Sequence, residues 1–133
     1  MEIRPYTDFQ LEEIMALYAS VGWVNYTRRP EMLAAAYQNS LCSFAAFEGE
    51  IVGVIRAVGD GASVLLIQDL IVHPAYQRRG VGSLLLRAML ERYKGVYQTL
   101  LLTDDTERNA AFYRSLGFSP VEGMGCRAFL KMR

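Results

Sequence analysis

Histidine occurs once, at His73, and cysteine twice, at Cys42 and Cys126. A zinc centre draws about four ligands from His, Cys and carboxylate clusters, so these residues leave no metal site to propose. Two cysteines build no disulfide framework. Neither sign of charge is in excess: 14 basic residues face 14 acidic ones. A broad non-specific nucleic-acid surface needs net positive charge to release counterions. That class is set aside, while a local anion site stays open. No apolar run approaches the roughly 20 residues that span a bilayer. The start, Met1-Glu2-Ile3-Arg4-Pro5, carries no apolar signal region. The expectation is a cytoplasmic protein with no nucleic-acid or membrane partner. There is no internal repeat, low-complexity tract or linker. A length of 133 residues suits a single domain over 1–133 with one core.

Apolar residues make up 52% of the chain and charged ones 21%, a globular balance. Glu2 to Tyr6 reads as a short strand. Thr7 and Gln10 have the spacing of a capping box, and Leu11, Ile14, Met15 and Tyr18 fall on one helical face. Val21-Gly22 ends that helix. Pro30 suits a first helical turn and opens a second helix to about Gln38. Cys42–Phe47 and Ile51–Val58 form an antiparallel hairpin across Glu48-Gly49-Glu50. Gly59-Asp60-Gly61 is a second turn. Val64–Val72, nearly all apolar, reads as a central strand buried on both faces. A helix follows from about Gly82 to Tyr93, with the stripe Val81, Leu84, Leu85, Ala88 and Met89. Thr99–Thr103 is a short strand. Glu107–Leu116 is a helix capped by Gly117, with Phe118 packing back on it. Arg127–Met132 is expected as a last strand. The fold class is a mixed α/β sheet flanked by about four helices.

The most informative segment is Gln77-Arg78-Arg79-Gly80-Val81-Gly82-Ser83, between a strand and an amphipathic helix. Helix starts carry free N–H groups and partial positive charge, so they bind phosphate. Gly80 and Gly82 allow close approach, and Arg78 and Arg79 can add charge-assisted contacts. A P-loop is excluded because the lysine it needs is missing. A dinucleotide fingerprint is excluded because Leu85 stands near its third glycine. Taken alone, the segment is equally well a strand-to-helix turn with solvent-facing arginines.

Further on, Asn109 and Tyr113 stand four apart and share one helical face. They can address a polar ligand. Read in isolation, Tyr113 serves as well as core filler and Asn109 as a solvated helix-start residue.

The run Asp69–Gly82, Asp-Leu-Ile-Val-His-Pro-Ala-Tyr-Gln-Arg-Arg-Gly-Val-Gly, resembles the central strand and Gln/Arg-x-x-Gly-x-Gly/Ala loop of the GNAT superfamily, the acyl-CoA-dependent N-acetyltransferases. Asn109-Ala110-Ala111-Phe112-Tyr113 through Leu116-Gly117-Phe118 resembles that family's next signature helix. The resemblance implies the GNAT fold, with a splayed V between the strands ending near Val72 and starting near Thr99. It implies acetyl-CoA as co-substrate, with its pantetheine arm along Leu70, Ile71 and Val72 and backbone pairing at Leu70 and Val72. The pyrophosphate would lie in the Gln77–Ser83 turn, on the N–H groups of Arg78, Arg79, Gly80, Val81, Gly82 and Ser83. Asn109 would contact the cofactor, with Tyr113 close to its sulfur. Val21-Gly22-Trp23, Arg28-Arg29-Pro30, Leu33–Ala36 and Asn39-Ser40 are similar to plastid-type plant GNAT enzymes, which include arylalkylamine (serotonin) and protein-lysine acetyltransferases.

The implied reaction moves acetyl from acetyl-CoA to a primary amine of a small molecule. Protein lysine or N-terminal acetylation and a non-catalytic CoA-binding module are the alternatives. An alkyl amine with pKa about 10.4 must lose a proton before attack. The Leu70 N–H is expected to stabilise the oxyanion and Tyr113 to protonate the departing sulfur. Some family members carry a glutamate base where Leu66 stands here. Asp69 acting through a water, or a relay of backbone carbonyls and water, is expected instead. Trp23, Tyr26 and Tyr37 form either an aromatic acceptor pocket or core packing. Asp104-Asp105 is expected to cap the next helix, His73 to shape its loop, and Cys42 and Cys126 to be buried or neutral thiols. A homodimer is the default assembly of such enzymes.

Overall fold

The computed structural model describes all of residues 1–133. By contacts the chain divides into two compact units, 1–102 and 103–133.

The first unit is a five-stranded sheet in the order β1-β2-β3-β4-β5, made of β1 (Glu2–Pro5), β2 (Cys42–Glu48), β3 (Glu50–Gly59), β4 (Val64–Val72) and β5 (Gln98–Leu101). The first three pairings are antiparallel, and β4 with β5 is parallel. A parallel neighbour needs a crossover, which helix α4 (Val81–Arg92) supplies. Helices α1 (Leu11–Ser20), α2 (Val24–Thr27) and α3 (Pro30–Gln38) lie between β1 and β2 in the chain.

The strand buried throughout its length is β3, from Ile51 to Ala57. On one sheet face Ile14, Leu17, Tyr18 and Leu33 from α1 and α3 meet Ala45, Val54 and Ile71. On the other lies α4. A Cβ added at Gly53 would come within 3.1 Å of Leu85 and 3.3 Å of Val81, so that glycine lets α4 approach the sheet. The apolar stripe of α4 is Val81, Leu85, Leu86 and Met89, while Leu84 is exposed. The sequence pattern had put Leu84 inside. A one-residue rotation of the stripe brings Leu86 in instead.

Three other local expectations are corrected. Thr7 caps nothing: α1 starts at Leu11, and the Gln10 N–H donates to the Tyr6 hydroxyl at 3.0 Å. Tyr6 in turn donates to Glu13 at 2.7 Å, so a tyrosine just after β1 does the work of the cap. The cap of helix α5 (Glu107–Ser115) is Thr106, whose Oγ1 accepts the Asn109 N–H at 3.1 Å, in place of Asp104-Asp105. Arg127–Met132 forms no strand, and Phe129, Leu130 and Met132 are 89%, 70% and 73% exposed. Alternating side chains make a strand only where a neighbouring edge takes up the backbone groups.

Within the 103–133 unit, Gly117 has φ +92° and the Phe118 N–H returns to the Tyr113 carbonyl at 3.1 Å. The Phe118 ring packs edge-on against Tyr113 at 5.9 Å, as the sequence predicts.

Candidate active site

The site is built on β4. Arg56 of β3 pairs with Asp69, but the next residue, Ala57, pairs with Ile67. Gln68 is therefore an extra residue, a β-bulge that bends the strand. Bulging also changes which face each side chain meets. Paired residues share a face, so Ile67, opposite Ala57, lies with Gly53 on the α4 side. Asp69 and Ile71, opposite Arg56 and Val54, lie on the α1–α3 side.

Pairing of β4 with β5 stops at Ile67–Leu101, although β4 runs on to Val72. The His73 N–H donates to Val52 on β3 at 2.8 Å. By the two-residue period of a strand, Leu70 and Val72 turn their backbone groups to the opposite edge, which β5 has left. Gln77 Nε2 takes the Val72 carbonyl at 3.0 Å. The Leu70 N–H and C=O and the Val72 N–H remain as a short open edge.

Next comes the glycine loop. His73 Nδ1 accepts the Ala75 N–H at 3.1 Å and fixes the turn Pro74–Tyr76, the loop-shaping role expected of it. Arg78 then adopts φ +64° and Gly80 φ +81°. Left-handed backbone is unfavourable for residues with a Cβ, so Arg78 holds a strained conformation of the kind that gathers at binding sites. None of the backbone N–H groups from Arg78 to Ser83 meets an acceptor in the chain. Six adjacent donors at the start of a 12-residue helix form an anion cradle. Arg79 lies over the Tyr76 ring at 5.4 Å.

On the α1–α3 side, Asp69 gathers three donors. Arg56 Nε and the Tyr18 hydroxyl each reach Oδ2 at 2.7 Å, and the Tyr26 hydroxyl reaches Oδ1 at 3.2 Å. Tyr37 and Tyr18 join their hydroxyls at 2.9 Å, and Arg56 Nη1 reaches Ser40 at 3.2 Å. Asp69 and Arg56 are 2% and 5% exposed. Burial works against the Arg56 charge, but Asp69 more than offsets it and holds the guanidinium pKa above its usual value. Burial first, then Tyr37 and Asp69, push the Tyr18 phenol far up, and burial and then Asp69 raise Tyr26. These phenols act only as neutral groups. Trp23 stacks on Tyr26 at 6.0 Å and 25°. Both rings are half-buried.

Of the residues singled out in the sequence, Trp23, Tyr26, Tyr37 and Asp69 come together in this cluster. Tyr18 and Arg56 complete it and were missed. Tyr18 was hidden in the apolar stripe of α1. Arg56 did leave a signal, as the one charge inside the β3 run Ile51–Val58. Leu66 is half-buried between Val58 and Leu100.

In the 103–133 unit, Asn109 Nδ2 donates to Thr103 Oγ1 at 3.0 Å. Burial raises the Tyr113 phenol, opposed by a hydrogen bond with Thr103. Asn109 and Tyr113 thus share Thr103. Cys42 is half-buried and its thiol is pushed up by burial, so it is neutral. Cys126 is exposed.

The chain is similar to known proteins. Residues 38–120 match the family model described as an acetyltransferase (GNAT) domain. A GNAT-family acetyltransferase structure from Streptococcus pneumoniae TIGR4 superposes with a TM-score of 0.90 at 41% identity, covering 99% of this chain and 97% of that one. The histone acetyltransferase TAP1 of Glycine max is 34% identical over 128 residues, 84% of this chain and 52% of that protein. The chloroplastic serotonin N-acetyltransferase 2 of Oryza sativa subsp. japonica is 31% identical over 127 residues, 87% of this chain and 60% of that protein. The chain belongs to the GNAT acetyltransferase family. It spans about half to three-fifths of the length of these two curated relatives.

Proposed function

We propose that this chain transfers the acetyl group of acetyl-CoA to a primary amine of a small molecule. The observation that carries the reading is the conjunction on β4: an open strand edge at Leu70 and Val72 leads directly into six free N–H groups at Arg78–Ser83. Edge and cradle fit two adjoining parts of coenzyme A, its peptide-like arm and its pyrophosphate. No group of three or more His, Cys, Asp or Glu side chains could hold a metal, and the reading needs none.

Acetyl-CoA supplies an activated acyl thioester. Leu70 and Val72 pair with its amide-bearing arm, and Arg78–Ser83 hold its phosphates, with Arg78 and Arg79 adding charge. The Leu70 N–H takes the negative charge that grows on the carbonyl oxygen as the amine attacks. A preorganised donor of this kind contributes about 3–4 kcal/mol. Burial raises the Tyr113 phenol, so it keeps its proton, and the family resemblance gives Tyr113 the role of donating that proton to the sulfur as the C–S bond breaks. The amine's proton leaves by water and backbone carbonyls and restores the phenol. Asp69, enclosed by Arg56 and two tyrosines, orients these hydroxyls; its geometry favours that role over the water-relayed base expected from the sequence.

The soybean relative's printed name points to a protein acceptor instead, which one assay separates. Acetyl-CoA is incubated with the chain and either arylalkyl and alkyl amines or lysine peptides, and thiol release is followed. Release with small amines supports the proposal. Release with peptides alone moves the acceptor to protein. Tight CoA binding without release in either arm indicates a binding module.

A further inference from the structure

Away from the coenzyme edge, a cavity of about 620 Å³ opens between the end of β1, the C-terminal end of α3 and the start of β2. Small-molecule sites occupy about 300–1,000 Å³. Ser43, on the cavity wall, lies opposite Arg56 of β3, and Arg56 opposite Asp69 of β4. Two strand spacings of about 4.8 Å each therefore separate it from β4, on the side away from the open edge at Leu70 and Val72. Neither Trp23 nor Tyr26 lines the cavity. Three rings form an aromatic wall: Phe9 stacks on Tyr37 at 5.1 Å and 28°, and Tyr6 meets Tyr37 edge-on at 6.1 Å. The Tyr6 hydroxyl is bonded to Glu13 and Gln10, that of Tyr37 to Tyr18, and that of Ser40 to Ala36 and Arg56. Those bonds hold the walls in place, so the cavity is preformed. Ser43 differs. It is 8% exposed, and its hydroxyl bonds to nothing in the chain. No side-chain N or O closed off from solvent lacks a partner, so the Ser43 hydroxyl keeps an opening, and what it opens on is this cavity. The backbone adds a second donor: the Ser43 carbonyl takes the Tyr6 N–H at 2.9 Å, but no bond returns from the Ser43 N–H to Tyr6. No Lys, Arg, His, Asp or Glu lines the cavity, and burial keeps the Tyr6, Tyr37 and Cys42 protons in place.

We propose that this cavity is a second ligand site, for an uncharged flat aromatic molecule that carries a carbonyl oxygen, such as an aryl or indolyl carboxamide. The ring packs on Phe9 and Tyr37, and the carbonyl accepts from Ser43. A charged ligand would give up its water for walls that hold no countercharge. The site stands apart from the acetyltransferase reading, because no residue of the β4 edge or of Arg78–Ser83 belongs to it.

The test follows backbone amide NMR of the isotopically labelled full chain with three probes at up to millimolar concentration. These are indole-3-acetamide, its anionic counterpart indole-3-acetate, and 3-methylindole, which has the ring but no carbonyl. Indole-3-acetamide is expected to give saturable shifts at Thr7, Gln38 and Ser43, and indole-3-acetate to bind at least about tenfold more weakly. Ser43→Ala should weaken indole-3-acetamide by about three- to tenfold, the loss of one hydrogen bond, and leave 3-methylindole within about twofold. Absence of saturation with indole-3-acetamide overturns the proposal, as does indole-3-acetate binding equally well. So do shifts that gather at Leu70, Val72 and Arg78–Ser83 instead, or a Ser43→Ala chain that weakens both neutral probes alike or neither. The wild-type comparison of amide with carboxylate decides the matter even where Ser43→Ala fails to fold.

Discussion

Removing one half of the Arg56–Asp69 pair should cost much more than removing both. The pair is 2.7 Å long with partners 5% and 2% exposed, so neither charge has water to fall back on. Arg56→Met leaves Asp69 with two tyrosine donors and no countercharge. Breaking a buried pair this way costs about 3–5 kcal/mol. Asp69→Leu strands the guanidinium with only Ser40 at 3.2 Å and takes the acceptor from Tyr18 and Tyr26. Tyr18 keeps Tyr37, and Tyr26 reaches solvent, so this variant should cost about 1 kcal/mol more. The double variant Arg56→Met/Asp69→Leu carries no unpaired charge, and apolar replacement of a buried pair is often neutral. The coupling energy should therefore be about 3 kcal/mol or more. Against a total stability of about 5–15 kcal/mol, the single variants should shift the urea midpoint by about 2–4 M for a slope near 1.5 kcal/mol per M. Urea unfolding of the wild type and three variants, followed by circular dichroism, measures this cycle. Additive effects, or single variants costing under about 1 kcal/mol, as for exposed pairs, would refute the reasoning.

Tyr113→Phe should lower single-turnover acetyl transfer by about 100-fold while CoA affinity by calorimetry stays within about twofold. Because burial raises the Tyr113 phenol above its ordinary value near 10, turnover should not fall through loss of that proton up to pH 9. Gly53→Ala places a methyl 3.1 Å from both the Ile71 carbonyl and Leu85. It should destabilise by about 1–3 kcal/mol through overpacking, read from the same urea curves. Asp60 accepts N–H groups of Ala62, Ser63 and Val64 at 2.8, 2.8 and 3.0 Å, and these with the Ser63 hydroxyl hold its carboxyl well below the carboxylate range. A depressed folded value stabilises above the unfolded value near 3.9 and is lost as pH falls. Asp60→Ala should then be less stable than wild type at pH 7, with the gap closing below about pH 4.

Much of the site was legible because its signals are local. Gly80 and the arginines before it mark a strand-to-helix turn, and Gly117-Phe118 marks a helix end. What the sequence hid depends on register. Strict alternation along β4 would put Asp69 on the face of Ile67, under α4. The extra residue at Gln68 carries it to the other face, opposite Arg56, and no composition or period announces that bulge. The same holds for Tyr18, whose hydroxyl matters only once Asp69 is turned toward it. At Arg127–Met132 the alternating pattern was present without a partner edge to make it a strand. Thr7 lost its capping role because Tyr6, one residue earlier, reaches the same N–H.

The most direct test is titration of the isotopically labelled chain with CoA, followed by backbone amide NMR and calorimetry. The account predicts saturable binding with the largest shifts at the Leu70 and Val72 amides and across Arg78–Ser83. Absence of heat at millimolar CoA, or shifts that leave those amides unmoved, would contradict it.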